Sequence, residues 1–392
     1  MEMDKNYFFK YFYFNKILLH CCGVLPIETW GSIINTITII LPFCSTSFLV
    51  LPVFYTFFFR NLNFETAMTI FSLLVQGIAA AFKALLLLSK RKRLRNLVFL
   101  CNSIWKSIKN DEEEAQVVKH YATRGLYFTY GFSLIVFTAL VNVILQSAFD
   151  EFVIDSNGTI ITSRTLPYPS GLFHENIQIF NIWYILQIPA GIFIVILIVG
   201  IDTAVVVFVL HACAYFNVLQ FRLEKFKELC DKDQQNINES NKIFQEIVTI
   251  VKFHQSILHF TASVEHVVNP VVLLQTVLSI TAICIFGINC LLKDEDILHQ
   301  VLHVGGSILQ LFMFCWPPSS LQTESYKISI KIYDLPWYDW TKEEKKLVEI
   351  MIFRSQKFVV MSAGKFTFMS LRTFTSILSS AYSFFTLLRR IL

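Results

Sequence analysis

Charge is scarce in this chain. Only 16% of its 392 residues are Asp, Glu, Lys or Arg, against about 25% in an ordinary soluble domain, while 54% are hydrophobic and 39 are phenylalanine. That balance excludes a soluble globular protein, and with a formal net charge of +4 no nucleic-acid partner is expected. The nine cysteines form no C-x-x-C pair, and at most Cys290 falls near an outer surface, so no disulfide framework is implied. No nucleophile elbow, phosphate loop or HExxH occurs, which leaves an enzyme reading without support and calls for no cofactor. His299 and His303 are four apart but lack an acidic third ligand, so no metal is expected either. The first apolar stretch is interrupted by Lys10 and Lys16, unlike a cleavable signal.

What the chain does have is long apolar runs, at residues 32–59, 64–89, 125–149, 177–214, 259–292, 301–316 and 366–388. Runs of about 18 residues or more read as membrane helices, so the fold class expected is an all-α integral membrane protein with seven spans. Pro189 and Asn269-Pro270 lie inside runs four and five and predict kinks. Aromatic residues from Tyr7 to Phe14, spaced by lysine, predict a helix lying in the inner interface. Four domains follow: 1–31, an N-terminal segment on the cytoplasmic side; 32–316, spans 1 to 6; 317–365, a cytoplasmic region; and 366–392, the last span.

Basic residues sort sharply between the loops. Lys5, Lys10 and Lys16 precede the first span, Lys90 to Arg124 follow the second, Arg222 to Lys252 follow the fourth, and Lys327 to Lys357 precede the last. The other three loops hold only Arg60, Arg164 and Lys293. Lys/Arg-rich loops are cytoplasmic, which puts the N-terminus inside and the C-terminus outside, the reverse of a G-protein-coupled receptor. The sequon at Asn157 then lies outside and is a possible glycosylation site, whereas the one at Asn238 lies inside and is expected to be unmodified.

The last span carries a hydroxyl stripe, Thr373, Ser376, Ser380 and Ser383, at helical spacing, which continues as Phe384, Leu387 and Ile391. A small-polar face closing in an apolar collar is what a pore helix with a dewetting gate requires. Helix packing is the commoner use of membrane Ser and Thr, and composition alone favours it over a pore face. Before this span, Tyr333, Trp337, Tyr338 and Trp340 have the composition of a subunit contact, and Thr341-x-x-Glu344 opens a helix with a capping box.

Several runs taken together, namely Tyr333, Trp337-Tyr338, Arg354-Ser355-Gln356-Lys357, Ala363-Gly364-Lys365-Phe366, Ser370-Leu371, Phe374 and Ala381 to Leu388, resemble the C-terminal signature of insect odorant receptors. His254-Gln255, Leu258, Phe260 and Glu265 look like the same family's lead into span 5. Gustatory receptors share the architecture but end in a Gln-Phe motif that is missing from this ending, and a metabotropic receptor is a third, different class. The resemblance implies a ligand-gated, non-selective cation channel in the plasma membrane of olfactory neuron dendrites. It would be a tetramer with a shared co-receptor subunit, with a small volatile, mostly apolar odorant, membrane lipid and permeant cations as its other partners. The loop after span 4 lacks the long insertion of the co-receptor, so this chain looks like a tuning subunit. Carried over on the ending, Phe384, Leu387 and Ile391 form the gate, with Ser380 and Ser383 along the pore. The odorant pocket would lie in the outer half between spans 2, 3, 4 and 6, where geometry nominates Phe71, Val75, Phe137, Leu140, Tyr184, Ile188 and His303.

Overall fold

The structure is a computed structural model and describes residues 7–26, 31–108, 110–148, 151–154, 160–163, 166–169, 177–232, 240–292 and 297–391. It is a helical bundle: α1 (Tyr7–Cys21), α2 (Ser32–Phe59), α3 (Phe64–Ser89), α4 (Arg91–Ile108), α5 (Glu112–Ala148), α6 (Ile177–Lys232), α7 (Ser240–Leu292), α8 (Ile297–Tyr333), α9 (Lys342–Gln356) and α10 (Leu371–Ile391). Two small antiparallel hairpins interrupt it, β1 (Glu151–Ile154) with β2 (Ile160–Ser163), and β3 (Ser362–Ala363) with β4 (Thr367–Phe368). Among the described residues five helices, α2, α3, α5, α6 and α7, are long and apolar enough to cross a membrane. The two remaining expected spans fall in α8, broken by Gly305, Gly306 and two prolines, and in α10, diluted by hydroxyls and Arg372.

The first two spans coincide with α2 and α3. Spans 4, 5 and 6 do not stop where their apolar runs stop. Helix α6 has 56 residues and α7 has 53, about 80 Å each at ~1.5 Å per residue, far beyond a hydrocarbon core of ~30 Å. The reason is a change of pattern. Past Ala214 the buried positions of α6 become Phe216, Leu219, Leu223, Phe226 and Cys230. Those of α7 include Ile247, Ile250, His254, Ile257, Thr261, Val264 and Val268, and those of α8 include Leu321, Ser325, Ile328 and Ile332. Each is a repeat of three and four, the seam of a coiled coil. The three helices therefore leave the membrane as a second, wetter bundle, and α9 closes it with Val348 and Met351. Helix α9 begins at Thr341, whose hydroxyl and Glu344 carboxylate cap each other as the spacing predicts.

Three boundaries differ from expectation. Pro317-Pro318 lies within α8 rather than ending it, because the turns on either side are packed against α6 and α7. Helix α1 does not merely rest at the interface. Phe12, Asn15 and Leu19 are fully buried, and Asn15 Nδ2 donates to Thr203 Oγ1 on α6 at 2.7 Å while Asn15 Oδ1 accepts from Thr129 Oγ1 on α5 at 3.4 Å. Finally, the last helix starts at Leu371, not Phe366. Residues 362–368 are a hairpin whose three-residue connection, 364–366, starts with Gly364 (φ 60°) and Lys365 (φ 66°), both left-handed, and the Phe366 amide closes the turn on the Ala363 carbonyl at 3.0 Å.

The hairpin is docked on the Pro270 kink. Proline at 270 frees the carbonyl of His266 one turn earlier, and Lys90 Nζ donates to that oxygen. Asn269 Nδ2 donates to Ser362 Oγ at 2.6 Å, the Ser362 amide donates to Glu265 at 3.1 Å, and Gly364 N–H donates to the Asn269 carbonyl at 3.4 Å. A Cβ at Gly364 would stand 2.5 Å from Leu273. The segment that introduces α10 is thus fixed to the point where α7 bends.

Candidate functional site

At the end of the bundle away from the heptad region, a crevice of ≈ 40 Å³ is lined by Leu49, Val50, Val53, Leu73, Gln76, Gly77, Tyr168 and Ile194. Residues Leu166 to Pro169 roof it. Gln187 clips this segment at two points, accepting from the Tyr168 amide and donating to the Tyr168 carbonyl, both at 3.0 Å. Gly191 lets the tyrosine ring lie close, since a Cβ there would be 3.6 Å from the ring and 2.9 Å from Leu140. Small-molecule sites enclose about 300–1,000 Å³, so this crevice has to widen to take a ligand. A larger cavity of ≈ 630 Å³ opens in the heptad region, but Glu114, Arg222, Lys225, Glu246 and Lys252 line it, which does not suit an apolar molecule.

None of the seven residues nominated for a pocket is among those that line the crevice. Phe71 meets Phe57 at a tilt of 34°, with ring centroids 5.5 Å apart; Val75 and Ile188 are half-buried. Leu140 is buried against Gly191, whereas Phe137 on the same helix is exposed. Tyr184 donates its hydroxyl proton to the Ile144 carbonyl at 3.0 Å, and His303 stacks on Phe286 at 4.5 Å.

Below the crevice is a feature the sequence reading missed. Lys83 on α3 and Asp202 on α6 form an ion pair with contacts of 2.7 and 3.0 Å, and both are almost completely buried. Gln310 on α8 donates to Asp202 at 2.6 Å. An isolated charge in hydrocarbon is costly, so such residues are paired and usually functional. Each stood in plain view as a lone charge within an apolar run, and nothing local showed that the two would meet.

Helix α10 has two unlike faces. Phe374, Ile377, Leu378 and Ala381 pack on the bundle, with Phe374 edge-on to Phe312 of α8 at 5.6 Å. Arg372, Ser376, Ser379, Ser380, Ser383 and Leu387 are exposed on the opposite face, away from the rest of the chain. Ser380 and Ser383 return their protons to the carbonyls one turn back, at 2.9 Å each. From Ser376 onward the stripe therefore does not pack within the chain, whereas Thr373 is half-buried and donates to the Phe368 carbonyl at 2.6 Å. Phe384 is exposed beside it, and Ile391 is the last described residue of the helix.

The four aromatic residues expected at a subunit contact divide. Trp337 and Trp340 are used internally, the first donating its indole proton to the Tyr333 carbonyl at 3.2 Å and the second meeting Phe226 edge-on at 5.5 Å. Tyr333 and Tyr338 are exposed, and near them in the chain so are Tyr326, Ile330 and Phe353. Asn157 lies outside the described residues.

Long membrane helices that continue into a second helical bundle, with an apolar crevice at the far end, define a multi-pass membrane receptor. Residues 63–382 match the family model described as 7tm odorant receptor, and the chain belongs to that family. Odorant receptor 13a of Drosophila melanogaster is 27% identical over 223 residues, 53% of this chain and 52% of that protein. Odorant receptor Or2 of Anopheles gambiae is 27% identical over 158 residues, 39% of this chain and 41% of its own length. The chain thus spans about half the length or less of these curated relatives. The solved insect olfactory receptor OR5 from Machilis hrabei superimposes with a TM-score of 0.77 at 11% identity, covering 98% of both chains. Its complex with eugenol gives 0.74 at 12% identity with the same coverage. The fold is thereby that of an insect olfactory receptor, and the family is one of receptors rather than enzymes.

Proposed function

We propose that this chain is the odorant-binding tuning subunit of a ligand-gated, non-selective cation channel assembled with the insect odorant co-receptor. It crosses the membrane seven times with its N-terminus inside, and four last helices, one per subunit, surround the pore. The observation that carries this reading is the orientation of α10. Its hydroxyl and Leu387 face is turned away from its own bundle, and a row of hydroxyls suits a neighbouring subunit or water better than lipid tails. Serine oxygens suit a hydrated path, and Phe384, Leu387 and Ile391 at the outer end make a collar that excludes water when closed. Tyr333 and Tyr338 belong to the contact with neighbouring subunits.

A small volatile ligand enters the outer half of the bundle, and the eugenol complex of the Machilis hrabei receptor is in keeping with a ligand of that kind. Phenylalanine and aliphatic walls hold it by shape more than by hydrogen bonds. Widening the crevice shifts α3 against α6, and the Lys83–Asp202–Gln310 cluster transmits this to α8. The Phe312–Phe374 contact then moves the base of α10. Ligand selects the open state by its higher affinity for it.

Whole-cell recording, with and without the co-receptor and under a volatile panel, tests this. Rapid cation current that needs both subunits and persists under G-protein block is the expected result. Current from this chain without the co-receptor favours a homomeric or gustatory-type channel, and slow G-protein-dependent signals overturn the pore assignment. Leu387→Ala raises resting current, because shortening the collar lets water remain in it; unchanged resting and evoked currents refute the gate.

A further inference from the structure

The densest positive charge in the chain stands where α3 ends: Lys90, Arg91, Lys92, Arg93 and Arg95, with no Asp or Glu from residue 90 to 110. Helix α4 buries Leu94, Leu97, Val98 and Cys101 on one side and leaves Lys92, Arg95 and Phe99 exposed on the other.

Arg91 behaves differently from its neighbours. Its Nε and Nη2 are buried and have no hydrogen-bond partner, although a guanidinium keeps its charge and all its donors. These two atoms form the edge that grips a pair of oxygens, as Arg222 shows in this same chain by holding Glu114 at 2.8 and 2.7 Å. Around the unfilled fork the surroundings are cationic. Burial first, and then Arg95, lower the proton affinity of Arg91; burial, then Lys16 and Arg91, lower that of His20 against a carbonyl contact from Leu25 that raises it. A fork with two buried donors amid like charge suits an oxyanion, which supplies acceptors and opposite charge together.

We propose that Arg91, with Arg95 and His20 nearby, binds the phosphate of an anionic phospholipid headgroup in the inner leaflet. A lipid is favoured over a free anion because the fork sits at the end of a membrane helix. Clustered Lys/Arg at that position is how proteins hold acidic headgroups, and exposed Phe99, one turn past Arg95, adds apolar surface suited to the interface. The leaflet, though not the site, rests on the inside orientation proposed above.

The test uses the full chain in nanodiscs of phosphatidylcholine, with and without phosphatidylserine or phosphatidylinositol bisphosphate. Retained lipid is read by mass spectrometry and stability by thermal unfolding. The native protein retains anionic lipid preferentially and unfolds at a higher temperature with it, and Arg91→Gln loses that preference by about tenfold, the scale of one charge-assisted contact. Arg91→Lys recovers part of it. In pure phosphatidylcholine Arg91→Gln unfolds no lower than the native protein, since the side chain has no partner within the chain to lose. Equal retention by Arg91→Gln overturns the site, and an equal stabilisation by inorganic phosphate overturns the lipid. A change in subunit assembly without a change in lipid retention shows instead that a neighbour's carboxylate fills the fork. If an impermeant reagent labels Lys92→Cys from outside intact cells, the leaflet falls, while retention in nanodiscs, open on both sides, still reports on the site.

Discussion

Lys83 is buried in an apolar bundle with Asp202 facing it, and Asp202 is held in turn by Gln310. Breaking such a pair from one side leaves a buried, uncompensated charge, which costs roughly 3–5 kcal/mol, whereas removing both partners is often neutral. Lys83→Met or Asp202→Leu is therefore expected to lower the thermal midpoint of the purified protein sharply. The pair Lys83→Met and Asp202→Leu recovers most of that loss, and adding Gln310→Leu recovers more, since the amide otherwise loses its acceptor. If the cluster also couples crevice to pore, the triple variant folds and reaches the surface yet needs more odorant to open. Normal odorant sensitivity in a well-folded triple variant makes the cluster structural only. Along the chain these residues read as isolated polar interruptions, because the encounter is set by how α3, α6 and α8 cross.

Among elements, α6, α7 and α8 show what the sequence carried and what was overlooked. Their apolar runs mark the membrane parts well, and the edges of α2 and α3 are sharp because Arg60 and Lys90 stop the runs. The three-and-four repeats beyond Ala214 and before His259 were equally legible, but a search for uninterrupted apolarity passes over them. Residues 362–368 were harder: Phe366, Phe368 and Met369 look like the opening of a membrane helix, and only two successive left-handed positions reveal a turn. The inner bundle is also tied by surface ions. Asp111 caps α5 by accepting from the amides of Glu113 and Glu114 at 3.0 and 3.3 Å, and Lys225 of α6 donates to it at 2.9 Å. The Lys225 hydrogen bond holds the Asp111 carboxyl below its usual value, against a smaller opposing effect of burial. A carboxyl depressed on folding adds stability that is full above its unfolded value, about 3.9, and fades as pH falls through the lower folded one. Asp111→Asn keeps the cap acceptor and loses the ion. Its unfolding temperature should fall less than that of the native protein on acidification from near-neutral pH to about 3; parallel curves show that the pair contributes nothing.

For the whole molecule, the family and the helical fold leave the sidedness of the chain to be measured, and the pore assignment depends on it. Basic loops put the heptad bundle inside and the crevice outside. Two sequons test this, since in the sequence Asn157 falls between α5 and α6 and Asn238 between α6 and α7. In a secretory-competent cell only a sequon on the outer side receives glycan. The native chain and Asn238→Gln should then lose mass on glycosidase treatment, and Asn157→Gln should not. Both substitutions fall between helices in the sequence, and surface expression of each variant controls for folding. Glycan at Asn238 with none at Asn157 inverts the chain, puts the hydroxyl face of α10 in a helix entering from the other side, and removes the basis for an odorant reaching the crevice from outside the cell.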